Sequence, residues 1–441
     1  MPQRLSQQTI NALALPAIVS NLAEPLISLA DTSIIGHISE NSTEAIGGIG
    51  VAVSLFFLLF WTFMVLRPAM VATVGKYVGE KREASLDPLL FQLVVFNAGL
   101  GLLIWALSST FAPSLLQLYN AEGLVLENAI DYFRIRAVGL PLMLVTYLLF
   151  GVFQGLQNTR WAMSIALSGG IINLTMDLLL VYGVEGWIPP MGVRGAAYGA
   201  LGSQVVMFVI ALFVLLRHTP YRLRPNWKRH PELVGTLGVS GNFMIRVISI
   251  NTVLFLANRT AAGLGEAPLA AHTMVIQIWT FSFFLLDGYS NAGQALSGKL
   301  FGQKDAFNLR FLLRRLQLIG LGISVAMIAG YLLVYSYIGH LLSNDFEAVT
   351  AFEDIFWVMI VSLPTGAIAF TYDGILKGLA DARFLRNMML LALCVYSGWL
   401  FFSPDALNSV WWGFIAWLTF RSVWAAFYYN KKISRLESEW A

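Results

Sequence analysis

The sequence has few charged residues and a single cysteine. Lys, Arg, Asp and Glu make up 12% of its 441 residues, and 57% are hydrophobic. A soluble domain carries roughly a quarter charged residues, so a protein that faces water on all sides is excluded. The one cysteine, Cys394, excludes a disulfide framework and a cysteine-based metal site. Because it lies in an apolar run, we predict a small buried side chain there.

Motifs of metal-dependent and nucleophilic enzymes are also missing. The five histidines are scattered and form no HExxH pair. No DDxxD-type group of acids is present to hold Mg²⁺ and a diphosphate. We therefore expect no enzyme, and an integral membrane enzyme stays only as a remote alternative.

Long apolar runs recur along the whole chain. Each is about 20 residues long, the length that crosses a bilayer as a helix. We predict an all-α polytopic membrane protein with twelve transmembrane helices. The predicted spans cover residues 10–36, 50–74, 88–111, 132–156, 161–182, 195–216, 233–257, 269–297, 311–338, 352–376, 385–402 and 409–429.

Lys and Arg are distributed unevenly among the connecting segments. Of the 28 basic residues, 21 fall in the N-terminus, in the loops after the even-numbered spans and in the C-terminus. On the other side, segments such as SNDFEAVTA carry none. The positive-inside rule then places both termini in the cytoplasm of a multi-pass protein of the cell (inner) membrane.

Two parts of the chain resemble each other at a fixed offset of 223 positions. Residues 139–160 (GLPLMLVTYLLFGVFQGLQNTR) align with residues 362–383 (SLPTGAIAFTYDGILKGLADAR). The same offset aligns residues 74–81 (VGKYVGEK) with residues 297–304 (SGKLFGQK). One offset at two distant places indicates a duplicated chain. Because each copy holds six spans, an even number, both copies have the same orientation in the membrane.

The duplication predicts two pseudo-symmetric six-helix bundles, an architecture of transporters whose substrate site lies near mid-membrane. We expect an N-lobe over residues 1–216 and a basic cytoplasmic linker over residues 217–232. A C-lobe over residues 233–430 and a cytoplasmic tail over residues 431–441 complete the chain.

Acidic and amide residues distinguish the first copy from the second. The first span carries Asn21, Glu24 and Asp31 on one helical face, since they follow the i, i+3, i+10 spacing. In the fifth span, Asn173 and Asp177 are four residues apart and share a face. The corresponding positions of the second copy hold no acid or amide opposite Asp31, Asn173 or Asp177.

Buried acids of this kind point to ion coupling. An ionised carboxylate at the centre of a bilayer costs about 2.5–3.5 kcal/mol or more, so acids there usually serve a function. We predict that these side chains take up and release the coupling ion, either H⁺ or Na⁺, the latter at Asp31, Asn173 and Asp177. A hydrogen-bond network that only joins the first and fifth spans is the alternative.

Two prolines, Pro16 and Pro25, lie inside the first span. Each removes a backbone hydrogen bond, so we predict hinges at which the helix bends between two states. A simple packing kink is the alternative interpretation.

The second copy carries other charges, Arg246, Asp287 and Asp373. With one cation between two acids, they predict a neutralising salt-bridge network rather than a substrate site. Arg67 in the second span has no assigned role.

The order and spacing of these segments resemble the multidrug and toxic compound extrusion (MATE) family, in its DinF-like branch. The resemblance rests on PLISLADTSIIG in the first span, GVFQGLQNTR, NLTMDLLLVYG, GVRGAAYGALGSQ and DGYSNAGQALSGKLFGQKD. It covers about residues 8–430. It implies a cation-coupled antiporter that exports amphipathic or cationic drugs by alternating access.

The resemblance also implies roles for single residues. Asp31, Asn173 and Asp177 match the family's N-lobe cation site, and Pro16 matches the proline at which the first helix bends. We expect no cofactor other than the coupling ion, no nucleic-acid partner, and a monomer that binds its small substrate within the lipid bilayer. A lipid-linked oligosaccharide flippase of the same superfamily is the alternative. It is disfavoured because the sequence supplies few intramembrane arginines to hold a pyrophosphate.

One position departs from the family pattern. The sixth helix of many members carries a Thr that contributes to Na⁺ coordination, and Ala200 stands at that place in GAAYGA. The lost oxygen favours H⁺ over Na⁺ as the coupling ion.

Overall fold

A computed structural model describes residues 5–35, 42–343, 345–403 and 405–440; the side chains at positions 24, 25, 28–30, 32, 42, 43 and 336 also lie outside the described set. Within the described residues the chain is helical, apart from one isolated bridge between Val184 and Ile188. The helices are α1 Gln7–Ile35, α2 Ser42–Phe63, α3 Leu66–Gly79, α4 Asp87–Thr110, α5 Ala112–Gln117, α6 Gly123–Ala137, α7 Leu140–Gly155, α8 Thr159–Val181, α9 Gly192–His218, α10 Leu233–Gly263, α11 Glu266–Gly302, α12 Ala306–Leu342, α13 Phe346–Gly378, α14 Ala382–Phe402 and α15 Leu407–Trp440, with a 3-10 helix at Glu83–Leu86.

Most of these helices are long and apolar enough to cross a membrane. Nine spans in the described part of the chain meet that condition alone, and the bent pair of α6 and α7 makes ten. Helices α1 and α15, with 29 and 34 residues, are long enough to supply the other two. The count agrees with the twelve predicted spans.

The backbone at the helix ends repeats with the predicted offset. Lys81 after α3 and Lys304 after α11 both have positive φ angles, 57° and 56°, although neither is glycine. Gln157 after α7 and Ala380 after α13 form a second such pair, at 64° and 57°. A left-handed residue just past a helix is a common way to end it. The same uncommon conformation at equivalent positions supports two copies of one helical unit.

The two copies differ in the continuity of two helices. In the first copy, α2 and α3 are separated at residues 64–65, and α6 and α7 meet at an angle of 52°. In the second copy, α11 and α13 run unbroken, α13 even through Pro364. Pro141, the equivalent of Pro364, instead lies in the first turn of α7. The backbone N–H groups of a first turn have no acceptor within the helix, so the N–H that proline lacks costs no helical hydrogen bond there.

The chain forms two compact units. One, here called the N-lobe unit, comprises Val19–Val74 and Lys81–Leu237; the other, the C-lobe unit, comprises Met1–Ile18, Gly75–Glu80 and Gly238–Ala441. The division therefore falls within α1, between Pro16 and Pro25. It differs from the predicted lobe boundaries mainly in two short segments of the first half, which pack with the second.

The predicted linker and tail are ordered parts of these units. Residues 217–232 belong to the N-lobe unit, where the carboxylate of Asp87 accepts hydrogen bonds from the backbone N–H groups of Arg222 (2.7 Å) and Leu223 (2.9 Å). Helix α15 continues through the predicted tail to Trp440. There Lys432 forms an ion pair of 2.5 Å with Asp381, whose carboxyl pKa is raised by burial.

Cys394 is exposed on α14, so the prediction of a buried cysteine is wrong. The apolar run that suggested burial belongs to a helix that also presents Leu390 and Leu391 on the protein surface. In a membrane protein an apolar run faces lipid as readily as it faces the core.

Within the C-lobe unit, two glycine pairs allow very close contact of backbones. A side-chain carbon at Gly302 would overlap the carbonyl oxygen of Lys76, and one at Gly79 would overlap that of Lys299. The two contacts are equivalent under the 223-residue offset. Only glycine fits at both crossing points, which explains the Gly spacing shared by VGKYVGEK and SGKLFGQK.

We expect Gly302→Ala to lower the free energy of unfolding by about 1–3 kcal/mol, the usual cost of overpacking. The measurement is thermal unfolding of the purified protein in detergent. Gly241→Ala is the matched control, since nothing lies within 4 Å of a carbon added there. Equal melting temperatures for the two variants would contradict the close crossing.

Candidate cation site

The predicted residues of the fifth span are buried inside the N-lobe unit. Helix α8 places Asn173 and Asp177 one turn apart, with 1% and 0% of their surfaces exposed. The amide of Asn173 donates a hydrogen bond of 3.2 Å to Oδ2 of Asp177. The i, i+4 spacing therefore brings the two side chains together on one face, as predicted.

Helix α9 packs against α8 through small residues. A side-chain carbon at Gly195 would overlap the backbone of Leu180, and one at Gly199 would overlap Oδ1 of Asp177. The missing side chain at position 199 is thus what leaves room for the Asp177 carboxylate. Sequence reasoning had considered Ala200; the residue against the acid is its neighbour, Gly199.

Asp31 on α1 joins the same cluster. It is 1% exposed and interacts with Asp177 and Asn173, while the charge of Arg136 acts on it without a hydrogen bond. Helix α1 is held beside α8 by the hydroxyl of Tyr182, which donates a hydrogen bond of 2.8 Å to the carbonyl of Ile34. The structure therefore brings Asp31, Asn173 and Asp177 together, although the first and last are 146 positions apart in the chain.

The cluster contains more hydrogen-bond acceptors than donors. Both carboxylate oxygens of Asp31, Oδ1 of Asp177 and Oδ1 of Asn173 are buried and accept no hydrogen bond from any described residue. No ion pair of 4 Å or less joins Asp31 or Asp177 to a cation in the described part of the chain. Buried acceptors without donors are costly, so the arrangement suits a bound cation or proton.

Arg136 is the charged neighbour that sequence reasoning missed. It is 2% exposed, donates a hydrogen bond of 2.6 Å to the hydroxyl of Tyr132 and lies 4.6 Å from the ring of Phe56. Its charge acts on both Asp31 and Asp177. The signal was available, because IDYFRIRAV places two arginines, Arg134 and Arg136, inside a predicted span.

The other predicted residues of the first span have mixed outcomes. Asn21 is half-buried on α1. The side chains of Glu24 and Pro25 lie outside the described residues, so their predicted roles are not addressed. Pro16 is buried within the unbroken helix α1.

Arg67, which had no assigned role, lies in the first turn of α3, just after the break that separates α2 from α3. Its guanidinium donates a long hydrogen bond of 3.4 Å to Gln154 and lies 5.7 Å from the ring of Tyr147. These contacts connect α3 to α7 within the N-lobe unit.

The charges of the C-lobe unit form a larger group than the three residues named from the sequence. Oδ2 of Asp373 accepts hydrogen bonds from Arg246 (2.6 Å) and also from Arg421 (2.5 Å), and all three side chains are buried. Lys377 interacts electrostatically with this group and with Asp287. The Arg246–Asp373 pair of the predicted network is therefore present, and Arg421 and Lys377 join it. Arg421 was overlooked, and Lys377 had been counted as a loop residue although it lies in the last turn of α13.

Comparison with known proteins identifies the family. The MatE family pattern matches residues 16–179 and 243–397, more than half of the chain, in two blocks that follow the internal repeat. The chain belongs to the MatE family.

Among MatE relatives, the DNA damage-inducible protein F of Escherichia coli is 27% identical over 418 residues, which cover 92% of this chain and 88% of that protein. A crystal structure of a MATE protein in the bent conformation superposes with a TM-score of 0.87 at 18% identity, over 98% of this chain and 97% of that one. A MOP superfamily transporter from Pyrococcus furiosus, described as having a binding pocket of reverse polarity, superposes with a TM-score of 0.86 at 18% identity, over 98% and 96% of the chains.

These likenesses confirm the predicted fold, two pseudo-symmetric bundles with twelve transmembrane helices in all. The relatives are transporters, and an enzymatic reading of this chain is set aside. The MatE family is one of multidrug efflux transporters that handle small substrates as single chains in a membrane.

We expect Gly199→Ala to reduce efflux of a fluorescent dye from cells, because the added methyl group occupies the place of Oδ1 of Asp177. The displaced acid lowers the free energy of unfolding by about 1–3 kcal/mol, the range for overpacked sites. Efflux and the melting temperature are measured at matched expression. Gly99→Ala on α4 is the control, since a carbon there meets nothing within 4 Å; a Gly199→Ala protein as active and stable as this control would contradict the packing described.

Proposed function

We propose that the protein is a cation-coupled antiporter that exports amphipathic or cationic small compounds by alternating access. In this proposal Asp31, Asn173 and Asp177 form the site for the coupling ion. The observation that carries the proposal is a group of four buried oxygens, on two neighbouring acids and one amide, that accept no hydrogen bond from the described residues.

The electrostatics of the acid pair explain how a cation is exchanged. Two carboxylates side by side in a medium of low dielectric constant do not both stay ionised without a cation between them. Either a shared proton or a Na⁺ ion held by the free oxygens relieves the repulsion. Because Ala200 offers no side-chain oxygen, we favour H⁺.

Coupling requires that the ion and the substrate stabilise different states of the transporter. We propose that the outward-open state loads the ion at Asp31 and Asp177, that α1 rearranges, and that the compound is released outside. The inward-open state then releases the ion and binds the next compound. The protein is proposed to act as a monomer in the cell (inner) membrane with both termini in the cytoplasm, as the basic loops predict.

The alternative is a flippase for a lipid-linked oligosaccharide. It gains some support from the intramembrane cations that the sequence analysis did not count, Arg136 and Arg421. The Pyrococcus furiosus transporter of the same fold is described as having a binding pocket of reverse polarity, which suggests a different function for that protein. Export of an amphipathic compound remains the preferred proposal because Asp31 and Asp177, which form no ion pair with any described residue, supply an ion-coupling site that a passive lipid carrier does not need.

Transport by the purified protein in proteoliposomes tests the proposal. With an imposed H⁺ gradient, the wild type is expected to transport ethidium, and Asp31→Asn and Asp177→Asn are each expected to lose most of the gradient-driven rate, because an amide cannot exchange a proton. Parallel Na⁺ gradients identify the ion. Asp131→Asn is the control, since this acid forms an exposed ion pair with Arg194. Wild-type rates for both Asp31→Asn and Asp177→Asn under every gradient would refute the cation site.

The hinge is tested separately. Pro16 lies two residues before the point at which α1 passes from one compact unit to the other. Restoring its backbone N–H with Pro16→Ala adds a helical hydrogen bond and favours a straight helix. We expect equilibrium binding of ethidium to stay within a few-fold of wild type, whereas the transport rate falls. An unchanged transport rate would remove Pro16 from the mechanism.

A further inference from the structure

The C-lobe unit contains a cluster of charges in which basic side chains outnumber acidic ones; Arg246, Asp373 and Arg421 are buried, and Asp287 and Lys377 are half-buried. We define the C-lobe cluster as Arg246, Asp287, Asp373, Lys377 and Arg421. It holds three cations against two acids. A network whose only purpose is to join helices in a membrane would be expected to balance its charges, since an unpaired buried charge is costly.

The two arginines keep hydrogen-bonding capacity that the protein does not use. Both donate from Nη2 to the same oxygen of Asp373. The Nε groups of Arg246 and Arg421 are buried and have no acceptor among the described residues. Oδ1 of Asp373 likewise accepts no hydrogen bond within the described part of the chain. Two unused N–H donors beside an excess of positive charge favour an acceptor that carries a negative charge.

Aromatic rings adjoin the cationic side of the cluster. The guanidinium of Arg421 lies 4.3 Å from the ring of Trp417 and 5.8 Å from that of Phe370. Phe370 in turn stacks on Phe283, with ring centroids 4.7 Å apart. A ligand that enters here meets an apolar aromatic surface next to a positive charge, which matches a compound with a flat apolar body and an acidic group.

We propose that the C-lobe cluster binds the anionic group, a carboxylate or a phosphate, of amphipathic compounds that the transporter carries. The inference rests on the proposed export function and extends its substrates to amphipathic acids. Lys377 and the Nε groups of Arg246 and Arg421 receive the anion. Asp373 orients the two guanidinium groups.

The test uses two probes that share one aromatic body and differ in head-group charge. Pyrenebutyrate and a pyrenebutyl-trimethylammonium salt are titrated against the purified full-length protein in phosphatidylcholine nanodiscs, with fluorescence as the readout. We expect Lys377→Gln to weaken binding of pyrenebutyrate by about tenfold, the effect of losing one charge-assisted contact. Binding of the trimethylammonium probe is expected to stay unchanged or to strengthen.

A substitution that removes a negative charge from the cluster is expected to have the opposite effect on binding. Asp373→Asn keeps the shape of the side chain and removes a negative charge, so it is expected to strengthen pyrenebutyrate binding while Lys377→Gln weakens it. Arg194→Gln is the control, because it removes one positive charge from an exposed ion pair. Melting temperatures show that each variant is folded. If Asp373→Asn is unfolded, the comparison of Lys377→Gln with Arg194→Gln decides alone.

Two further measurements distinguish a soluble anion from a lipid head group as the occupant of the site. If inorganic phosphate displaces pyrenebutyrate, the site accepts a soluble acidic group. If phosphate does not, but pyrenebutyrate is displaced when phosphatidylglycerol replaces part of the phosphatidylcholine, the site accepts a lipid head group. Either result supports the anion site. Equal effects of Lys377→Gln on the two probes, or none on either, would overturn it.

The result of the probe titrations does not depend on whether the proposed cation site is correct. If Asp31→Asn leaves gradient-driven transport intact while Lys377 still decides head-group preference, the antiport proposal fails and the anion site stands. If Asp31→Asn abolishes transport and Lys377→Gln does not discriminate between the probes, the reverse holds.

Discussion

The structure depends on two acids that are buried side by side without an ion pair among the described residues. Asp31 and Asp177 come from different helices and are held together by the packing of α1 and α9 against α8. A glycine at position 199 provides the space, and the bond from Tyr182 to Ile34 fixes the end of α1. Two ionised carboxylates at this distance from water repel each other, and a bound proton or sodium ion relieves the repulsion. We propose that this binding step couples the ion gradient, which supplies the free energy, to the change of state.

The two copies of the helical unit have diverged in what they do with buried charge. In the first copy Asp31 and Asp177 form no ion pair with any described residue, and two helices of that copy are interrupted, at α2–α3 and at α6–α7. In the second copy the equivalent helices are continuous, and Asp373 is bound by two arginines. The backbone of the helical unit is the same in both copies, including the left-handed residues that end its helices. The buried charged residues differ between the copies. We propose that one lobe exchanges a cation and that the other receives an anion.

Much of this could be predicted from the sequence, because the signals involved are local. Apolar runs predicted the transmembrane spans, and the 223-residue offset predicted the repeat. The i, i+4 spacing of Asn173 and Asp177 predicted that these two members of the candidate cation site share one helical face. The rest depends on which side chains meet across helices. Gly199 has no side chain that would mark it as part of a site. Arg421 lies in a predicted span whose neighbouring residues form no recognisable motif. Lys377 lies one residue beyond the predicted tenth span, and only the structure shows that α13 extends past it. Cys394 was placed wrongly for a related reason, since hydropathy cannot distinguish the core from the lipid-facing surface.

The central claim is that substrate and cation compete through the acid pair. Calorimetric titration of the purified protein with ethidium, in buffers of different ionisation enthalpy, measures how many protons are released as the compound binds. The account predicts proton release by the wild type, or Na⁺ release in sodium buffers, and its loss in Asp177→Asn. Binding without release of either ion in the wild type, or the same release in Asp177→Asn, would contradict it.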